Sequence, residues 1–361
     1  MCLLRSHLAK RRLKCLATPK ADWTFTLHLA TSIFMNTGTS HSVSVIITAY
    51  NAAATIADAI TTALAEPETV EVIVVDDASQ DQTLTVAKAA GKGDDRLIVI
   101  DCAVNGGPAA ARNRAMAVAT GDFVAVLDAD DFVLPGRFAH LLTITDADMI
   151  ADNILFVAEN ASPADLPERP RGSPEVSDID LAGFIRANHS VRGSNRQEWG
   201  FLKPIMRREF LQACGLRYDE TLRLGEDYDL YVRMLHKRAR FRVTTKVGYA
   251  ARWRAASLSS RHSTADLKAL YAAAQGHLAL RDLNASARAA LSHHAKELHQ
   301  RFLLRDFLDL KARTGRAAAL LSALRRPTTF FPIMRGILAD KLSSRKPALA
   351  SRVGSLLIEK G

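Results

Sequence analysis

Residues 123–132 read FVAVLDADDF. The five residues from Phe123 to Leu127 are all apolar, without alternation, which is the pattern of a strand covered on both faces. Asp128, Asp130 and Asp131 follow at once. Carboxylates this close repel one another unless water or a shared cation separates them. The stretch therefore reads as an inner strand of a parallel sheet that ends in either a solvated acidic turn or a cation site.

The same arrangement recurs upstream. VSVIIT (43–48) runs into a turn at Tyr50 and Asn51 and then into the Ala-rich AAATIADAITTALA. VEVIVV (70–75) runs into DDASQDQ, where Ser79 or Asp81 suits the cap of the following helix. RLIVID (96–101) precedes NGGPAAARNRAMAVATG, with Pro108 placed for a first helical turn and Gly121 for a stop. Apolar strands alternating with helices predict an α/β, Rossmann-like sheet with helices on both faces. Ligands of such sheets bind beyond the carboxyl ends of the strands. Those ends carry Thr48 and Tyr50, Asp76 and Asp77, Asn105 to Gly107, and Asp128 to Asp131, so chemistry is expected on that rim.

Each rim residue has a plain reading beside a functional one. Asp128 and Asp130 can converge on one hard divalent cation that also takes diphosphate oxygens, or they can form a solvated turn. One of Asp76 and Asp77 can accept hydrogen bonds from a nucleobase or ribose, while the other caps a helix. Tyr50 can stack on a base or simply be a rim aromatic. Glu226 and Asp227 precede YDLYVRML; at a helix N-terminus Asp227 is held ionised, as a general base for an incoming hydroxyl requires, though capping alone would also place it there. Arg112 and Arg114 can face phosphates or form ion pairs, and a structural role is expected for one of them. GKGDD (91–95) follows a helix and lacks a third glycine, so it is not a dinucleotide loop.

Composition agrees with a folded chain of one large domain plus an appendage, or of two domains: 361 residues, 48% hydrophobic, 24% charged. Lys and Arg total 48 against 38 Asp and Glu, a net charge of +10 that points to an anionic partner. Cys2, Cys15, Cys102 and Cys214 are too scattered for a zinc site or a disulfide framework, so free thiols in a reducing cytosol are expected. No stretch approaches the roughly 18 apolar residues of a spanning helix. Residues 1–40 are expected to be a poorly ordered extension or a misassigned start, with Met35 as the natural beginning; 41–262 form the main domain and 263–361 a mostly helical C-terminal region. Basic residues interleave with Leu and Ala in RFLLRDFLDLKARTGRAAALLSALRR, which suits a solvated cover over a core, docking on a membrane surface, or both.

Taken together, VSVIITAYNAAATIADAI, VEVIVVDDASQDQT, NGGPAAARNRAMAVATGDFVAVLDADDFVLPGR and GEDYDLYVRML resemble the family 2 glycosyltransferases of the GT-A fold. The resemblance spans about Val43 to Ser260 and extends to the bacterial exopolysaccharide branch, succinoglycan type included. It implies that Thr48, Tyr50 and one of Asp76 and Asp77 hold the nucleotide, that Asp128 and Asp130 bind ribose and metal, Mg²⁺ or Mn²⁺, and that Asp227 is the catalytic base. It also implies an inverting transfer from a nucleotide-sugar donor, UDP-glucose by resemblance. The implied acceptor is an oligosaccharide on a polyprenyl diphosphate, reached from the cytoplasm at the inner leaflet of the membrane. Family members usually have Pro at the position of Thr48 and Gly at that of Ala78. A sugar nucleotidyltransferase would need a Gly-rich phosphate loop with Arg and Lys after the first strand, and TAYNAAA has none. A non-catalytic nucleotide-binding relative is the other alternative. A nucleic-acid partner is not expected, because it would explain the charge but not three carboxylate clusters on one rim.

Overall fold

The computed structural model describes residues 41–166, 173–189, 198–253, 262–325, 330–334, 338 and 353–358. The chain divides into Met1–Thr39 and Ser40–Gly361, and the expected extension over residues 1–40 lies outside the described residues.

The apolar runs are strands. β1 (Val43–Ala49), β2 (Thr69–Asp76), β3 (Leu97–Asp101) and β4 (Phe123–Asp128) pair in parallel in the order β3-β2-β1-β4. Between them lie the helices α1 (Ile56–Leu64), α2 (Thr83–Ala90) and α3 (Gly107–Val118). Alternate side chains of each strand go to opposite faces; both faces of β1 and β4 and nearly all of β2 are buried, while β3 at the sheet edge is partly exposed. Val45, Ile47, Val72 and Val74 pack with Ile56 and Ile60 of α1, whereas Ile46, Ile73, Val75 and Val124 pack with Ala111 and Ala115 of α3. This is why the strands read as unbroken apolar runs. The small residues of α3 let that helix lie close on the sheet.

Two local expectations are corrected. α3 ends at Val118, three residues before Gly121. Gly121 is needed for another reason: a Cβ there would stand 2.7 Å from the Ser44 amide nitrogen. Neither Ser79 nor Asp81 is the N-cap of α2, which is Gln82 without a side-chain cap bond; Asp81 instead accepts from the Thr83 amide, one residue inside the helix, at 2.9 Å.

The second half of the sheet is mixed. β5 (Phe132–Val133), α4 (Arg137–Leu141), β6 (Met149–Ala158), β7 (Val176–Ile179) and α5 (Leu181–Ala187) follow in the chain. Next come β8 (Ile205–Arg207), α6 (Arg208–Ala213), α7 (Glu226–His236) and β9 (Phe241–Trp253). β8 is inserted antiparallel between β4 and β6, and the order continues β8-β6-β9-β5 with β7 also on β9. The fold is thus the expected α/β class with a mixed sheet.

Among the described residues the C-terminal region is mostly helical, as expected: α8 (Thr264–Leu278), α9 (Ala285–Thr314) and α10 (Arg316–Leu324). Ser263 and Asp266 form a reciprocal capping box on α8, and Asn284 caps α9. α8 also supports the main sheet domain, because His277 Nε2 lies 2.8 Å from Asp229 Oδ1 on α7. Burial alone would raise the Asp229 carboxyl, but His277 and Arg233 hold it below the usual range.

Candidate functional site

Strand register builds the rim. Thr48 pairs with Asp128 on one side, and Ala49 pairs with Asp76 on the other, so the ends of β1, β2 and β4 lie level. Tyr50, the next residue, is 53% exposed. The backbone then turns sharply: Asn51 and Ala78 both adopt left-handed φ, 53° and 62°. Glycine would suit position 78 better, since a Cβ in that region costs about 1–2 kcal/mol.

The two acidic residues closing β2 have different tasks. Asp77 accepts from the amides of Gly106 and Gly107 at 2.9 and 2.7 Å, one on each carboxylate oxygen, and so pins the N-terminus of α3. Asp76 accepts from the Ser79 hydroxyl and amide, both on Oδ1. Asp76 thus has one carboxylate oxygen bonded within its own turn, where Asp77 has both bonded to the start of α3.

Beneath the rim lies a network of buried charges. Arg112 of α3 is bonded to Glu226, to Asp227 at 3.1 Å and to Asp128 at 3.1 Å, while its guanidinium stands over the Tyr218 ring. Lys203, two residues before β8, lies 2.9 Å from Asp128 Oδ2 and 3.0 Å from Asp227 Oδ2. One arginine and one lysine therefore bridge the same two carboxylates, from β4 and from the first turn of α7. Burial would lower the Lys203 ammonium, yet Asp128 and Asp227 hold its pKa above the ordinary value. Burial would likewise raise Asp128, but Lys203 and Arg112 hold it low and ionised. Glu226 is pushed up by its burial despite Arg112.

Asp227 is where the sequence reading placed it, in the first turn of a helix. Gly225 caps that helix at φ 74°, and a Cβ there would also strike Leu270 of α8 at 2.7 Å. Lys203 is a site residue the sequence reading missed. Its one signal is a lone Lys inside the apolar FLKPIM. Of the arginine pair, Arg112 is the buried one, and Arg114 is a half-exposed neighbour 3.6 Å from Asp77.

The acidic turn is held from behind by β9. Asp131 accepts from the Tyr249 hydroxyl at 2.8 Å and from the Arg252 amide at 2.9 Å. The Arg252 side chain bonds the Asp130 carbonyl at 2.8 Å and reaches Asp58 of α1. Burial, and then the charges of Asp130 and Asp128, push the Asp131 carboxyl well above its usual range. Asp131 is thus bonded by a phenol and an amide, and the like charges of Asp130 and Asp128 beside it disfavour its ionised form. This donor set suits a hard divalent cation, which is commonly held by one or two carboxylates together with phosphate oxygens. Asp130 and Asp128 are the residues that would hold it. Asp128 is already bonded to Arg112 and Lys203, but each carboxylate oxygen has a second lone pair, and 32% of the side chain is accessible.

Residues 44–198 match the model of "Glycosyl transferase family 2". Succinoglycan biosynthesis protein ExoU of Rhizobium meliloti (strain 1021) is 48% identical over 306 residues, 85% of this chain and 90% of that protein. Among solved structures, S. aureus TarS 1–349 in complex with UDP-GlcNAc is similar at a TM-score of 0.53 and 23% identity, covering 76% of each chain. Mannosyltransferase PcManGT from Pyrobaculum calidifontis, in complex with GDP-Man and Mn²⁺, has a TM-score of 0.51 and 18% identity over 85% of this chain and 82% of its own. At these identities the two structures speak to the fold alone.

Proposed function

Because this chain belongs to glycosyl transferase family 2 and is a glycosyltransferase of the GT-A fold, we propose that it transfers a sugar, with inversion, from a UDP-sugar to a growing surface polysaccharide. The reading rests chiefly on one observation: Asp128 at the donor rim and Asp227 at the head of α7 are bridged by the same two cations. A nucleotide-side carboxylate and the candidate base thereby stand side by side.

In the proposed reaction the Asp227 carboxylate takes the proton of an acceptor hydroxyl. The resulting oxygen nucleophile attacks the anomeric carbon from the face opposite the nucleotide, a C–O bond forms, and the bond to the diphosphate oxygen breaks. Asp76, Tyr50 and Thr48 hold the nucleoside, and Asp128 orients the ribose. Asp77 acts indirectly by fixing the Gly106–Gly107 turn. Arg112 and Lys203 keep Asp128 ionised and hold Asp227 in place. A divalent cation, Mg²⁺ or Mn²⁺, at Asp130 and Asp128 would supply neutralisation of the departing diphosphate.

The proposed donor is UDP-glucose and the proposed acceptor an oligosaccharide on polyprenyl diphosphate; the likeness to a succinoglycan biosynthesis protein supports a polysaccharide product. Calorimetric titration tests the site: UDP is expected to bind in the presence of Mn²⁺ and not in its absence, with GDP failing in both. Equal binding of GDP, or none of either nucleotide, would return the acidic turn to a solvated loop.

The acceptor reading calls for action at the inner membrane face. Among the described residues no helix is long and apolar enough to cross a membrane. α10 instead exposes Leu320, Leu321 and Leu324 between Arg316 and Arg325, with Phe331 beyond at 73% exposure. Basic and apolar residues on one surface suit peripheral docking on anionic lipid. The protein is expected to float with anionic vesicles at low salt and to be released as salt rises. Sedimentation away from the vesicles at low salt would remove this part of the reading.

A further inference from the structure

We infer that His189, His293 and Glu297 form a second metal site, for a borderline transition metal of the Zn²⁺ class. None of its residues belongs to the strand-end rim. Each of the three offers one ligand atom, and these atoms all lie within 4.8 Å of one another.

His293 and Glu297 are four residues apart on α9, so they share a helix face. His293 Nδ1 stands 3.7 Å from Glu297 Oε2. That gap is too long for a hydrogen bond, which closes to about 3.2 Å or less. It is close to the edge of a tetrahedral site, where bonds of about 2.0–2.1 Å put two ligand atoms roughly 3.3 Å apart.

His189 comes from the other side, two residues after α5, with its ring centroid 4.4 Å from that of His293. Its Nε2 lies 3.1 Å from the Ala290 carbonyl oxygen. A carbonyl oxygen only accepts, so Nε2 carries the proton and the lone pair is on Nδ1. With Nε2 on the carbonyl, His189 would offer Nδ1 to the metal, as metal-binding histidines usually do. α5 and α9 are already tied by the 2.8 Å bond from Arg186 Nη1 to Ser286 Oγ, so the site needs little rearrangement to close.

The donor chemistry selects the metal. Two imidazoles and one carboxylate suit Zn²⁺, whereas Mg²⁺ and Mn²⁺ favour all-oxygen sets such as that at Asp130. Three protein ligands leave a fourth position for water. The His293 side chain is 56% accessible and that of Glu297 27%, so a metal reaches the site from solvent. Bound there, it staples the end of α5 to α9. Asn188, beside His189, accepts from the Gly200 amide at 2.8 Å, which carries that rigidity towards Lys203.

Chelator-treated protein without a polyhistidine tag, titrated with Zn²⁺ alone and then with Co²⁺, tests the site. One Zn²⁺ per chain, a tetrahedral Co²⁺ visible spectrum and a raised melting temperature are expected, all without nucleotide. His293→Ala and Glu297→Gln should each weaken Zn²⁺ binding at least about tenfold. Both positions are solvent-accessible, so circular dichroism should remain that of the wild type. Asp130→Asn should bind Zn²⁺ as the wild type does. Absence of stoichiometric binding overturns the inference, as does binding indifferent to His293→Ala and Glu297→Gln, or binding lost with Asp130→Asn.

Discussion

The Asp227→Asn protein is expected to fold and to bind metal and UDP, while its turnover falls by about a thousandfold, within the range contributed by a general base. Asparagine keeps the shape of the side chain, and its one acceptor oxygen keeps the bond to either Arg112 or Lys203, which lie 3.1 and 3.0 Å from separate oxygens of Asp227. It has no lone pair basic enough to take a hydroxyl proton. The loss should therefore appear in kcat, with the KM for the donor nearly unchanged. Glu226→Gln is the matching control, since Glu226 bonds Arg112 and carries a carboxyl that burial pushes up. Near wild-type turnover in Asp227→Asn, with the large loss moved to Glu226→Gln, would shift the base by one residue.

Arg112→Met is expected to cost the most stability of any single change at the rim. The guanidinium is buried and partners three carboxylates, on β4 and α7. Methionine fills much of the space but leaves Glu226, Asp227 and Asp128 with Lys203 as the nearest cation. Removing one partner from a buried ion network typically costs about 3–5 kcal/mol, because the remaining charges stay desolvated without compensation. For a chain of 361 residues that corresponds to a fall in melting temperature of roughly 4–7 °C. The deficit of the variant relative to wild type should also shrink as pH falls. Asp128, held low by Arg112 and Lys203 in the wild type, protonates more readily once one of the two is gone. A melting temperature within about 1 °C of wild type would show that the network contributes little.

Some of this site could be read in the sequence, because strand ends in a parallel sheet are fixed by local pattern. Val45 to Ile47, Val72 to Val75 and Val124 to Leu127 have no alternation because helices cover both faces, and the carboxylates that follow land on one rim by register. Asp227 was legible for a similarly local reason, as an acidic residue opening a helix. What lay hidden depends on pairing across long sequence distances. Lys203 is a lone charge in an apolar stretch until β8 lies beside β4 and carries it against Asp128. Tyr249 and Arg252 organise the acidic turn only because β9 crosses behind it. The division of labour between Asp76 and Asp77 likewise needed the fold, since adjacent residues leaving a strand point opposite ways and only Asp77 meets the Gly106–Gly107 amides.

The insertion of β8 between β4 and β6 also governs how the chain emerges from the ribosome. β1 to β4 pair with near neighbours as they are made, but the outer edge of β4 waits for Ile205–Arg207, almost 80 residues later. At synthesis rates of about 5–20 residues per second this is a delay of roughly 4–16 s. Throughout it the nascent sheet presents an open hydrogen-bonding edge, the kind of surface on which two chains pair wrongly. The cluster of aspartates just past that edge carries like charge on every copy, and so repels the association that the unfinished strand would otherwise invite.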